Sequence, residues 1–177
     1  MVESVILDRY QQVCFADYLA GRNVSIVSSA GCGKSVVLHR IIEHARARYG
    51  PTGVAVCSWY GAAANLIGGH TLHSFFRCGV HLVPPVDFVA AAKRSGLGTK
   101  LNAVRLLVVD EVFTMTAAWL IVFLAALRGV ARAGPQQHPA GGIQVIGMSF
   151  YEWGASLGAF IAVVHLSCSV LFAACQY

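Results

Sequence analysis

The chain has 177 residues, with 13 Lys and Arg against 8 Asp and Glu and a formal charge of +5. Hydrophobic residues make up 56% and charged residues 12%, against about 25% charged in an average soluble domain, which excludes intrinsic disorder and a coiled coil. A chain of this length holds one domain with a real core, with room for a short appendage.

In chain order, the first twenty residues carry Glu3, Asp8, Arg9 and Asp17, so no apolar signal-peptide core is expected there. Beyond them, short β-branched runs alternate with helical stretches, the pattern of a parallel sheet with crossover helices. Residues 23–27 read as a strand, followed by a glycine-containing turn and a helix over 34–49. Gly50-Pro51-Thr52-Gly53 is a turn, and 54–58 a second strand. Pro84-Pro85 and residues 95–99 mark connecting loops. Residues 106–109 are wholly apolar, as a strand covered on both faces should be. Residues 116–133 read as a helix ended by Gly134-Pro135, and 143–148 as a fourth strand.

Glu152 is the last charged residue, which divides the chain into residues 1–152 and an uncharged apolar tail, 153–177. Within the tail, 157–175 is just long enough to cross a bilayer, although His165, Ser167 and Ser169 argue against a span. The other readings are a buried strand or helix, or a tail packed loosely on the core. The six cysteines (Cys14, Cys32, Cys57, Cys78, Cys168, Cys175) form no CxxC pair and no zinc-spaced cluster, so they read as free thiols.

Chemistry concentrates in two places. Ser28-Ser29-Ala30-Gly31-Cys32-Gly33-Lys34-Ser35 lies between the first strand and its helix and matches the phosphate-binding pattern G-x-x-x-x-G-K-[ST], except that Ser28 replaces the first Gly. Backbone N–H groups of such a loop and the helix dipole favour phosphate. Lys34 is expected to reach the terminal phosphates of ATP and Ser35 to bind Mg²⁺. Gly31 and Gly33 let the backbone approach the ligand, whereas Ser28 is expected to tighten or distort the loop entry. The second place is Asp110-Glu111, the only adjacent pair of acids, at the end of an apolar strand. Asp110 is placed to hold Mg²⁺ and Glu111 to orient or deprotonate an attacking water.

The block Gly68-Gly69-His70-Thr71-Leu72-His73, with that loop before it and Asp110-Glu111 after it, resembles the petite-integration-frequency family of superfamily 1 DNA helicases, which move 5′ to 3′ on single-stranded DNA. Leu7 with Gln11, Gly21-Arg22-Asn23-Val24, Val130-Ala131-Arg132-Ala133 and the run 141–146 extend the resemblance over residues 5–150. It implies an α/β fold: a RecA-like P-loop domain with a mostly parallel sheet flanked by helices. It also implies that Gln11 contacts adenine, that Ser29, Ala30, Gly31, Cys32, Gly33, Lys34 and Ser35 hold the phosphates with Mg²⁺, that Asp110 ligates the metal and that Glu111 is the base. Residues 57–64 and 71–76 would lie near the DNA groove. Phe75 and Phe76 would stack on bases there, or pack in the core, and His73 would satisfy a local hydrogen bond.

Departures accompany the match. The family's Thr-Ala-Ser-Thr-Gly block is Cys57-Ser58-Trp59-Tyr60-Gly61 here, and Gly-Asp-Phe-x-Gln-Leu-Pro becomes a run from Met148 to Trp153 with Glu152 in place of the phosphate-sensing Gln. The resemblance stops after Trp153, and the second motor domain, with its arginine finger, is missing. The expectation is a truncated first motor domain of an ATP-dependent DNA helicase acting in repair and recombination, in nucleus or mitochondrion. The alternative is a non-catalytic nucleotide- or DNA-binding remnant whose tail serves assembly or membrane attachment. No acceptor site or lid arginines favour a small kinase.

Overall fold

Parallel strands buried on both faces dominate the architecture, because the apolar runs of the sequence do not alternate with polar residues. The computed structural model describes residues 6–130, 142–150 and 168–172. The chain runs through α1 (Arg9–Leu19), β1 (Asn23–Ser28), α2 (Lys34–Tyr49), β2 (Val54–Ser58), α3 (Gly61–Leu66), β3 (His70–Thr71) and α4 (Leu72–Phe76). It continues through α5 (Pro85–Arg94), α6 (Leu97–Ala103), β4 (Leu106–Asp110), α7 (Ala117–Val130), β5 (Gln144–Phe150) and β6 (Cys168–Phe172). The six strands form one sheet in the order β3-β2-β4-β5-β1-β6, and every pairing is parallel.

The two faces of the sheet are read off strand parity. Val54, Val56, Leu106, Val108, Ile146 and Ile26 pack against Cys14 and Tyr18 of α1 and Val37, Leu38 and Ile41 of α2. Ala55, Cys57, Leu107 and Val109 face the other way, onto Leu72, Phe76, Phe88, Leu101, Trp119 and Phe123. Both faces are therefore dry, and the α/β architecture is the one the sequence implies.

Local chemistry sets the element ends. Asp8 caps α1 in a reciprocal capping box with Gln11. Gly50, at φ 73°, ends α2 with its N–H on Arg46 O, and a 3₁₀ turn over Pro51–Gly53 leads into β2. The helix expected over 116–133 is α7, Ala117–Val130, and its Gly134-Pro135 end lies outside the described residues. The connecting loops are shorter than their proline and glycine signals suggest. Pro85 takes the first position of α5, where a missing N–H loses no bond, and left-handed Gly96 opens directly into α6.

Two further expectations resolve here. Five residues of the candidate membrane span, Cys168–Phe172, are β6, paired in register with β1; residues 157–167 and 173–175 lie outside the described residues. Among the described residues no helix is long and apolar enough to cross a membrane. Phe75 and Phe76 are 3% and 2% exposed, and Phe76 stacks on Phe123 with ring centroids 4.6 Å apart, so both belong to the core and not to a base-stacking surface. Phe76→Ala is therefore expected to lower the unfolding free energy by about 3–5 kcal/mol, measured by urea denaturation.

Candidate nucleotide site

All strands point the same way, so their carboxyl ends share one edge of the sheet, where open α/β sheets bind ligands. At that edge β1 ends on Ser28 and the chain turns through residues 29–33 into α2. Gly31 and Gly33 hold φ of 79° and 70°, a left-handed backbone that would strain a residue bearing a Cβ by about 1–2 kcal/mol. A Cβ on Gly33 would also meet Gln11 Nε2 at 2.5 Å. Ser28 needs no such freedom: it is the last residue of β1, buried and extended, and it does not distort the loop entry. The Gly expected by the motif is replaceable at this position because the strand simply runs through it.

Lys34 is 6% exposed, and its Nζ donates to Ser28 O and Ser29 O, each at 2.7 Å, and to Ser28 Oγ at 3.3 Å. Burial pushes the Lys34 ammonium below its ordinary pKa, opposed by the charges of Cys32, Glu111 and Asp110. The carbonyl cradle keeps the cation in place against that burial. Between α1 and the loop remains a cavity of about 30 Å³, lined by Gln11, Cys14, Ser28, Cys32 and Lys34. That is room for a water or two.

Gln11, expected at the adenine, reaches the loop, and its amide is engaged with protein. Its Oε1 accepts from Asp8 N at 3.0 Å, and its Nε2 donates to Gly33 O at 3.2 Å. The spacing Asp8-x-x-Gln11 carries the capping-box signal that the sequence reading left unused. Ser35 sits exposed in the first turn of α2.

Asp110, at the tip of β4, is 8% exposed; burial pushes its carboxyl above the ordinary range, while the Glu111 N–H at 2.9 Å and the charge of Lys34 pull it back. Glu111 adopts φ 55°, one of two non-glycine residues at positive φ among the described residues. That turn lifts its side chain off the strand toward the sheet edge, where Ser149 Oγ approaches Glu111 Oε2 at 3.5 Å, and Thr114 Oγ1 donates to Glu111 O at 2.6 Å. Neither hydroxyl carries a motif, so sequence alone gave no signal for them. Gln11 thus touches the loop, and Asp110 and Glu111 lie within electrostatic reach of Lys34.

The aromatic residues of the neighbouring segments divide. Trp59 packs on the ring of His73 at 4.8 Å, and His73 on Trp119 at 4.8 Å, while Tyr60 is 53% exposed. His73 thus spends its ring on aromatic contacts, and burial holds its pKa below the usual value.

Residues 7–150 match the model of the PIF1-like helicase family. The chain belongs to that family. It is 33% identical over 153 residues to the ATP-dependent DNA helicase PIF1 of Candida albicans, a match covering 85% of this chain and 16% of that protein. The chain therefore spans about one sixth of that relative's length. The crystal structure of Pif1 helicase from Candida albicans superposes with a TM-score of 0.82 at 27% identity, over 98% of this chain and 41% of that one. A Bacteroides Pif1 helicase in complex with ADP-AlF3 and single-stranded DNA gives a TM-score of 0.66 at 27% identity, over 83% of this chain and 33% of that one. The α/β sheet of this PIF1-like chain is thus the RecA-like fold of helicase motor domains.

The left-handed turn at Glu111 stores strain that a glycine would relieve. Glu111→Gly is expected to raise the unfolding free energy by about 0.5–1 kcal/mol while removing the carboxylate, checked by chemical denaturation without nucleotide.

Proposed function

We propose that this chain is the nucleotide-binding first motor domain of an ATP-dependent 5′-to-3′ DNA helicase, using ATP with Mg²⁺ and tracking on single-stranded DNA. The single observation behind the reading is the Lys34 ammonium, held by the loop carbonyls at the strand edge that also carries Asp110 and Glu111. The residues suit a magnesium-bound triphosphate. Left-handed Gly31 leaves open space where the backbone would approach phosphate, the loop already grips a cation through its oxygens, and a buried carboxylate ends β4. The complex of the Bacteroides relative with ADP-AlF3 and single-stranded DNA agrees with both ligand classes.

In this reading Lys34 leaves Ser28 O and Ser29 O for the terminal phosphates, and the N–H groups of residues 31–35 supply the rest of the cradle. Ser35 and Asp110 hold the metal. When bound, Mg²⁺ neutralises charge between the phosphates as it develops. Glu111 accepts the proton of the attacking water at its carboxylate, and Ser149 orients that carboxylate. Gln11 fixes the loop through Gly33 and meets the adenine with what remains of its amide. Tyr60, the exposed aromatic of residues 57–64, would meet the DNA. Unwinding belongs to the whole enzyme, in which two motor domains close on ATP. An arginine finger from a partner domain is worth about 10³–10⁵ in rate, so hydrolysis by this domain alone is slow. Genome maintenance in nucleus or mitochondrion follows from the family.

One observation favours a second reading, a nucleotide-binding remnant without motor function. Cys57 fills a core position and Trp59 packs half-buried against the core, in the segment where the family presents small hydroxyl groups to DNA.

Calorimetric titration with ATP and Mg²⁺ tests the main reading. The parent chain is expected to bind, and Lys34→Ala to bind at least about tenfold more weakly, roughly 1.4 kcal/mol. Absence of heat with the folded parent, or equal affinity in the variant, overturns it. Binding without any DNA-stimulated hydrolysis selects the remnant.

A further inference from the structure

Two buried hydroxyls find no hydrogen-bond partner, Ser25 Oγ and Ser58 Oγ. A buried polar group left unmade destabilises by about 1–3 kcal/mol, and such a group calls for a water, an ion or a ligand to complete it. Their surroundings differ. Ser25 points to the α7 face, where Gly147 and Val112 are its neighbours. Ser58 ends β2 at the carboxyl edge, is fully buried, and lies in register with Asp110 on one side and Thr71 on the other. Residues 54, 56 and 58 share the face of β2 turned to α2, as do 106, 108 and 110 on β4. The hydroxyl of Ser58 and the carboxylate of Asp110 therefore stand side by side on strands about 4.8 Å apart. Thr71 Oγ1 is already committed to Ser74 N at 3.1 Å, and Asp110 Oδ1 to Glu111 N at 2.9 Å.

We propose that Ser58 is a positioning residue for the metal site: its hydroxyl donates to Oδ2 of Asp110 when that carboxylate carries a divalent cation. The proposal rests on the nucleotide reading above and deepens it. Asp110 then has one oxygen held by the backbone of Glu111 and the other by Ser58, which fixes the plane of the carboxylate and keeps it aimed along the strand edge. Metal-binding groups oriented by such partners typically lose affinity when the partner is removed. Ser58 makes no contact with the phosphates in this account, so nucleotide affinity in the absence of metal does not depend on it. An unpartnered hydroxyl in the metal-free chain also means that removing it does not weaken the fold.

The experiment uses the full chain and Mn²⁺ as the probe, titrated into protein saturated with ATP and followed by electron paramagnetic resonance. Ser58→Ala is expected to weaken Mn²⁺ binding about three- to tenfold, with ATP affinity in EDTA and the metal-free melting temperature equal to or above those of the parent. Ser58→Cys, close in volume and a poor donor, shows the same loss and serves if the alanine variant fails to fold. Ser25→Ala, which removes the other orphan hydroxyl, leaves Mn²⁺ affinity unchanged. Parent-like Mn²⁺ affinity in both Ser58 variants overturns the proposal, as does an equal loss in Ser25→Ala. A folded parent that binds no ATP, with or without metal, instead overturns the nucleotide reading on which it stands.

Discussion

The chemistry of this chain turns on a buried ammonium that has to remain satisfied. Lys34 lies at the first position of a helix whose amino end carries partial positive charge, so its buried ammonium needs oxygen partners of its own. The carbonyls of Ser28 and Ser29 provide them. The loop is therefore closed on the lysine by its own backbone oxygens. Desolvation weakens its hold on the proton, and the charges of Cys32, Glu111 and Asp110 oppose that shift without reversing it. The sheet brings these groups together, since parallel strands deliver the loop and Asp110 to the same side.

Much of this was legible in the sequence because the relevant signals are local. The loop motif needs glycines where φ is positive, and Gly31 and Gly33 are there. The acid pair follows an apolar run that can only be a buried strand, and the helix over 34–49 ends where Gly50 and Pro51 require it. Asp110 and Lys34 are 76 positions apart in sequence, but each is fixed to a strand or helix end, and parallel topology does the rest.

What was not legible depends on three dimensions or on context-dependent chemistry. Pro85 is a loop signal by composition and a helix start by geometry, and only the packing of α5 on α7 decides between them. Phe75 and Phe76 read equally as core or as a stacking surface, since helical spacing does not tell which side holds the solvent. Ser149 reaches Glu111 only because β5 runs beside β4. Ser28 misled through the motif itself: the pattern specifies a glycine, while the actual backbone there is ordinary strand.

The strand Cys168–Phe172 has a consequence for the P-loop strand. With β5 on one side and β6 on the other, β1 keeps its amides and carbonyls paired along both borders. Were the second border open, Asn23–Val27 would present a flat, apolar template to another copy of the chain, the kind of exposed rim that invites intermolecular sheet growth. With Cys168–Phe172 in place, that rim is β6 instead, and the strand leading into the glycine loop is an interior strand of the sheet.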